Sequence, residues 1–323
     1  MTIMWKILFV ILVLFILIAI NLVINFGIKM VLMAKRKDSK TMIKELWNRF
    51  QTDFTQYEKL PYEEITINSY DGLKLKGYFY NLYPNSNKVV VMNHGYTANH
   101  FVEYQFIDGF IEEKFNLLLI DMRSHGESEG KYASYGYNES KDLYLWVKWL
   151  KKNKGEDLYI GLHGQSMGAA TVMLYGGSHP KDIAFIIEDC GFTTAKEAVE
   201  FQFKQAKVPV WPFYDLVRLK IKFKYGFDLN TISPEEIIIN SEVPTLFIHG
   251  TSDRTVPAWM TKRMYDKKNG QKDRLYLVEG AKHMEACCYD KEEYKEILKA
   301  FINSVEEIKK VGIFMDKQYI NIN

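Results

Sequence analysis

Six short runs limit what this chain can fold into, because each is apolar at nearly every successive position: Val89 to Met92, Leu117 to Ile120, Leu158 to Leu162, Ile183 to Ile187, Thr245 to Ile248 and Leu275 to Val278. A strand covered on one face alternates apolar with polar residues, whereas a strand covered on both has no face to give to water. Stretches with helical periodicity fall between the runs, near residues 101–114, 138–152, 167–178, 258–269 and 290–310. This alternation predicts an α/β fold with a mostly parallel, doubly wound sheet. Ahead of it, Ile65 to Ile67 and Leu73 to Tyr80 flank the turn dipeptide Asp71-Gly72 and read as an antiparallel hairpin that opens the sheet. One interval, about 191–241, breaks the rhythm and carries the aromatic cluster Trp211, Phe213 and Tyr214. It reads either as a helical pair closing the core or as a small helical cap. The cap is the expectation, since ligands in open α/β sheets bind beyond the strands' C-terminal ends.

The first 34 residues follow other rules. Every residue from Ile7 to Ile20 is apolar, and with two asparagines admitted the run extends through Ile28, 22 residues in all. As a helix at ~1.5 Å per residue that is about 33 Å, enough to cross a bilayer's hydrocarbon core. A cleaved signal peptide would want a shorter apolar region followed by small residues at a cleavage site, and neither is visible. A buried core helix fits poorly with the polar break at Lys35, Arg36, Lys37 and Asp38. The expectation is therefore a single-pass transmembrane anchor over residues 1–34, with the lipid bilayer as partner. Lys35, Arg36, Lys37 and Lys40 outnumber Lys6 and the amino terminus on the other flank, which favours a cytoplasmic domain. A single anchor ahead of a large domain tests that rule weakly and leaves the side open. Over residues 35–60, Ile43, Leu46, Trp47, Phe50, Phe54 and Tyr57 recur at helical spacing among charges. That is a juxtamembrane amphipathic helix, either packed on the domain or lying at the membrane interface. Residues 61–323 are expected to form the globular domain.

Composition narrows the partners. Lys and Arg number 42 against 40 Asp and Glu, a formal charge of +2, so no nucleic-acid partner is expected. Cys190, Cys287 and Cys288 make no disulfide framework and read as reduced thiols. None of the seven histidines stands in an HExxH or Cys-x-x-Cys pattern, so no metal centre is expected.

The chemistry gathers in Leu158-Tyr159-Ile160-Gly161-Leu162-His163-Gly164-Gln165-Ser166-Met167-Gly168, a strand, a sharp turn of the form Gly-x-Ser-x-Gly, and the start of a helix. The turn forces its serine into strained backbone angles, and the small Gly164 and Gly168 let the hydroxyl stand clear of the neighbouring strand and helix. An alcohol is a poor nucleophile near neutrality and needs a base and an orienting acid. Two later strands end in loops that supply them: Asp253 follows Thr245 to Ile248, and His283 follows Leu275 to Val278. Taken singly, an aspartate in such a loop is more often a turn residue and a histidine a surface residue. Together, in the order Ser166, Asp253, His283 and at matching strand ends, they read as a catalytic triad. Fixed donors for a developing oxyanion would be the backbone N–H groups of Met167 and of Tyr96, with Gly95 letting that loop approach closely. His94 reads as support for the same loop.

On these motifs, and on Asp121-Met122-Arg123-Ser124-His125-Gly126-Glu127-Ser128, the chain resembles the α/β-hydrolase superfamily from residue 63 to about 310. It is most similar to small bacterial membrane-anchored members grouped with prolyl-oligopeptidase-like and BEM46-like hydrolases. In that loop Asp121 and Arg123 read as architectural, and His125 as lying near the pocket without joining the triad. The resemblance and the triad imply acyl transfer to water through an acyl-Ser166 intermediate, without a cofactor. The substrate expected is a small-molecule ester or related acyl compound, since no large propeller domain precedes the catalytic one. A peptide substrate, acyl transfer to an acceptor other than water, thioester cleavage, and a non-catalytic tethered interaction protein are the alternatives.

Overall fold

A computed structural model of the chain describes residues 3–51, 53–268 and 270–320, with side-chain surroundings through Glu307. Met1, Thr2 and Thr52 of the expected membrane-proximal segments lie outside the described residues, as do Asn269 and the domain's last residues, 321–323. In chain order the elements are α1 (Ile3–Leu32), α2 (Ser39–Phe50), β1 (Glu63–Asn68), β2 (Lys74–Tyr80), β3 (Lys88–Asn93), α3 (Ile107–Glu112), β4 (Asn116–Ile120), α4 (Tyr137–Lys154), β5 (Tyr159–Gln165), α5 (Met167–Ser178) and β6 (Phe185–Asp189). Then follow α6 (Ala195–Gln205), α7 (Phe213–Tyr225), α8 (Pro234–Ile239), β7 (Thr245–Gly250), α9 (Trp259–Lys268), β8 (Arg274–Val278), α10 (Ala286–Tyr289) and α11 (Lys291–Ile320).

Each of the six apolar runs is a strand. With the hairpin they form one eight-stranded sheet in the order β1-β2-β4-β3-β5-β6-β7-β8. β2 runs antiparallel to β1 and to β4, and the remaining neighbours are parallel. The double coverage read from the sequence holds for the five inner runs, whereas β8, at the sheet's edge, is only partly buried. In β3, Val90 and Met92 pack into one apolar layer while Val89 and Val91 pack into the other, and Leu117 and Leu118 of β4 divide the same way. One layer takes Phe110 of α3 and Leu298 of α11; the other takes Trp146 of α4, Val172 of α5 and Met264 of α9. Burying each such side chain contributes about 1.5–3 kcal/mol. The strand order reverses at β3, which has β4 on one side and β5 on the other. The C-terminal ends of β3 and β5 therefore flank the crevice where ligands collect in such sheets.

The helix expected near 101–114 is split into a 3₁₀ turn (His100–Gln105) and α3. Asn99 and Asp121 accept the N–H groups of Phe101 and His100 at its start, where a helix leaves donors unpaired.

The N-terminal segments are less separate from the domain than their sequence implies. From Ile3 to Ile18, α1 is exposed, but its last turns bury Gly27, Ile28, Val31 and Leu32 against Val217 and Ile221 of α7 and Ala198 of α6. Gly27 is what allows this approach, because a Cβ there would stand 2.8 Å from the side chains of Phe213 and Val217. Beyond α1 the chain is fastened to the domain: Ala133 N–H donates to the Leu32 carbonyl (3.0 Å), Ala34 N–H to the Tyr96 hydroxyl (2.9 Å) and Lys37 N–H to the Thr97 carbonyl (2.9 Å). The Arg36 guanidinium lies over the Tyr96 ring and donates to the carbonyls of Leu32, Ala34 and Ser124.

The amphipathic stretch of 35–60 is helical over Ser39–Phe50, capped by Asp38, whose carboxylate accepts the Thr41 N–H at 2.8 Å. Met42 and Leu46 enter the core while Trp47 faces outward. The interval between β6 and β7 does two things. Its α6 and α7 meet the end of α1, whereas Ile237 of α8 presses on Gly177 of α5 on the sheet's flank.

Candidate active site

The turn after β5 sits at the reversal point of the sheet. Ser166 has φ 57° and ψ −113°, a region that costs an L-residue about 1–3 kcal/mol. The surroundings hold it there. Its N–H donates to the Asp189 carbonyl at the end of β6 (2.8 Å). A Cβ on Gly168 would fall on the Asn93 carbonyl, and one on Gly164 would collide with the Gly168 carbonyl. Glycine at both positions is a packing requirement.

Ser166 Oγ lies 2.9 Å from His283 Nε2, and His283 Nδ1 lies 2.6 Å from Asp253 Oδ2. With Nδ1 facing a carboxylate, that nitrogen carries the hydrogen and Nε2 turns its lone pair to the hydroxyl. The second oxygen of Asp253 accepts the N–H groups of Thr255 (2.7 Å) and Val256 (2.9 Å). Burial alone would push this carboxyl up. Hydrogen bonds from His249 and His283, and the attraction of both rings, outweigh burial and hold Asp253 well below the ordinary carboxylate range. An alcohol, imidazole and carboxylate in this series can strip the alcohol's proton as it attacks an electrophile.

Among the described residues, no protein acceptor is found for the N–H groups of Met167 and Tyr96. The Tyr96 loop is tied to the loop after β4 by His94, whose Nδ1 donates to the Gly95 carbonyl (2.8 Å) and whose Nε2 accepts from Met122 N–H (3.0 Å). His125 accepts from Thr97 N–H at 3.1 Å, behind the pocket wall. Burial lowers the pKa of both rings. At Gly95 a Cβ would touch Met284 Sδ at 3.2 Å, a tight fit with a flexible side chain. Asp121 holds His100, and Arg123 is paired with Asp142 and Asp71.

Sequence reasoning passed over His249. Fully buried, it directs Nε2 at Asp253 Oδ2 (3.1 Å) and the Val256 carbonyl (2.8 Å), with Nδ1 on Thr261 Oγ1 (2.7 Å). Burial works against its proton, but the hydrogen bond to Asp253 and the nearby Glu188 charge raise its pKa above the ordinary imidazole value. An imidazole in the apolar run of β7, four residues ahead of the acid, was the available signal. Beneath the turn, burial pushes Glu188 up to about 7 although its carboxylate accepts the Gly191 N–H at 2.8 Å. Cys190 Sγ, Asp253 and His283 have ligand-type atoms within 4.8 Å of one another. Burial and the adjacent acids raise the thiol's pKa well above its usual value, so it remains protonated.

Over Ser166 lies a cavity of about 500 Å³. Ser166, Met167 and His283 form its floor, while Met30 of α1, Met42 and Leu46 of α2 and Gln202 of α6 form its wall. Arg49 of α2 donates to the carbonyl of Met284, next to His283, at 2.9 Å. The segments ahead of the domain thus both line the cavity and brace its histidine loop.

Residues 84–227 match the model of the family described as serine aminopeptidase, S33. Over 293 residues the chain is 32% identical to the uncharacterized protein YqkD of Bacillus subtilis, covering 89% of this chain and 95% of that one. It is also 30% identical over 162 residues to the lysophosphatidylserine lipase ABHD12 of Danio rerio, covering 47% of this chain and 39% of the relative. Among solved structures, the Pyrococcus furiosus esterase Pf2001 is 28% identical, with a TM-score of 0.63, covering 77% of this chain and 93% of that chain. A sheet that reverses at β3, a strained serine at the end of β5 and these relationships lead to one conclusion: the chain belongs to the α/β-hydrolase superfamily and is an esterase-like hydrolase.

Proposed function

We propose that the protein is a membrane-anchored serine hydrolase of the prolyl-oligopeptidase-like and BEM46-like group that cleaves an ester or related acyl bond through an acyl-Ser166 intermediate. The observation that carries this reading is the unbroken series Ser166 Oγ to His283 Nε2 at 2.9 Å and His283 Nδ1 to Asp253 Oδ2 at 2.6 Å, opening onto a cavity. His283 takes the serine proton during attack and returns it to the leaving group, while Asp253 keeps the imidazole in the productive tautomer. The oxygen of the tetrahedral intermediate is held by the N–H groups of Met167 and Tyr96. Water, activated by the same imidazole, then releases the acid. Pf2001 and ABHD12, an esterase and a lipase by name, support an ester substrate. In this reading residues 1–34 tether the enzyme, 61–323 carry the catalysis and about 191–241 cap the cavity.

An acyl-enzyme common to all substrates is directly testable. Esters of one acid with different leaving groups, hydrolysed in the presence of methanol, should give a single ratio of methyl ester to free acid, with aminoacyl amides turned over far more slowly. A product ratio that changes with the leaving group would rule out the shared intermediate, and amides cleaved as fast as esters would turn the reading to a peptidase.

A further inference from the structure

Helix α7 is apolar on two opposite sides. Tyr214, Val217 and Ile221 point inward and are buried, while Leu216, Leu219 and Phe223 recur at the spacing of a second, outward row. Phe223 is 84% exposed, and Trp211, just ahead of the helix, is 79% exposed. No described part of the chain covers this ridge.

Its position is set by α1. Gly27 lies against Phe213 and Val217, and six residues earlier in α1 Asn21 accepts a hydrogen bond from the Lys220 ammonium. Moving back along α1 is therefore moving forward along α7, so the two helices run antiparallel, side by side. A bilayer core takes about 20 helical residues, so a span counted from Ile3 or Ile7 ends at Leu22 or Phe26. Helix α7 thus flanks α1 where α1 leaves the hydrocarbon, and the ridge continues the exposed apolar surface of α1. Arg218, Lys220, Lys222 and Lys224 stand on α7 against the single acid Asp215, although Asp228 pairs with Arg218 and Lys222. An apolar ridge flanked by lysines suits a lipid surface, with Trp211 at headgroup depth, Phe223 at the edge of the hydrocarbon and the ammonium groups reaching back to anionic headgroups. Met30, exposed on α1 and also lining the cavity, lies one turn past Gly27, which places the pocket mouth level with the start of α7 and Trp211.

We propose that the outer ridge of α7 is a second membrane-contacting surface, seated at the boundary of hydrocarbon and headgroups beside α1 and holding the pocket mouth against the bilayer. This rests on the reading of α1 as a membrane-crossing helix, and the test separates the two. Nitroxide labels are placed one at a time through Phe223→Cys, Leu219→Cys, Phe15→Cys and Lys152→Cys, with Cys288→Ser removing the half-buried native thiol. The full-length protein is reconstituted in vesicles of phosphatidylcholine and phosphatidylglycerol, and each label's relaxation by oxygen is compared with that by a water-soluble nickel chelate. Labels at 223 and 219 are expected to respond to oxygen about as strongly as labels near the lipid boundary do, with the nickel effect several-fold below that at 152. If 223 and 219 match 152 while 15 reports lipid, the ridge proposal is overturned and the anchor stands. If 15 also matches 152, the anchor reading itself fails.

Discussion

The floor and the wall of one cavity are held by different means. The floor consists of loops at the ends of β3, β5, β7 and β8, fixed by hydrogen bonds to the sheet and within and between the loops: Ser166 N–H to the Asp189 carbonyl of β6, Thr255 and Val256 N–H to the Asp253 carboxylate, Met122 N–H to His94. The wall is made from helices outside the sheet, α1, α2 and α6, which pack through apolar residues such as Leu32, Met42 and Leu46, and the segment joining α1 to α2 is tied through half-buried groups such as Arg36 on Tyr96 and Ser124 and the Lys37–Glu45 ion pair at 2.7 Å. Groups locked by packing can be aligned to fractions of an ångström, as proton transfer requires. A wall of helices packed by non-directional apolar contacts, with polar ties that are partly exposed, is the part that can adapt to substrate shape. The difference teaches that, in the proposed function, chemistry falls to the floor and selectivity to a separately stabilised wall, so mutations should divide along that line.

The largest effect is expected on the floor. Asp253→Asn removes the carboxylate that selects the His283 tautomer, and kcat for a soluble ester should fall by about 10³–10⁴-fold with KM nearly unchanged. A loss confined to KM would break the division. On the wall, Arg36→Ala releases Leu32, Ala34 and Ser124 together. Steady-state kinetics should show KM for a long-chain ester rising about fivefold while kcat for a short one stays within about twofold. An equal drop in kcat for both would mean that the wall participates in the chemistry.

A smaller effect tests how dry the floor is. Burial holds Glu188 protonated up to about pH 7, against a reference value of 4.5. Between those values the folded state binds the extra proton, so the wild-type protein loses stability as pH rises through this window and is level above it. Glu188→Gln has no such step. Denaturant midpoints at about pH 5 and about pH 8 should therefore fall less for the variant, by about 2 kcal/mol when converted. Parallel losses in the two proteins would show that Glu188 is solvated.

Most of the floor was legible before any coordinates. The six apolar runs, Gly164 and Gly168 around Ser166, and loops after two later strands are local patterns, and Ser166, Asp253 and His283 come together because parallel strands deliver their C-terminal ends to one side. The wall was not legible. Its contacts join residues far apart in sequence, such as Ala34 to Tyr96 and Arg49 to Met284, and an apolar run long enough for a membrane gives no sign that its last turns also dock on α6 and α7. His249 was missed for a related reason: its partner Asp253 is close in sequence, but only a buried β7 turns the ring toward it.

The central claim is that Ser166 is the attacking group, and covalent trapping tests it most directly. The full-length protein is treated with a fluorophosphonate and digested, and the adduct is located by mass spectrometry. A single adduct on Ser166, absent from a folded Ser166→Ala variant, is the result expected. Undiminished labelling of that variant, or an adduct mapped to another residue, would contradict the assignment of Ser166.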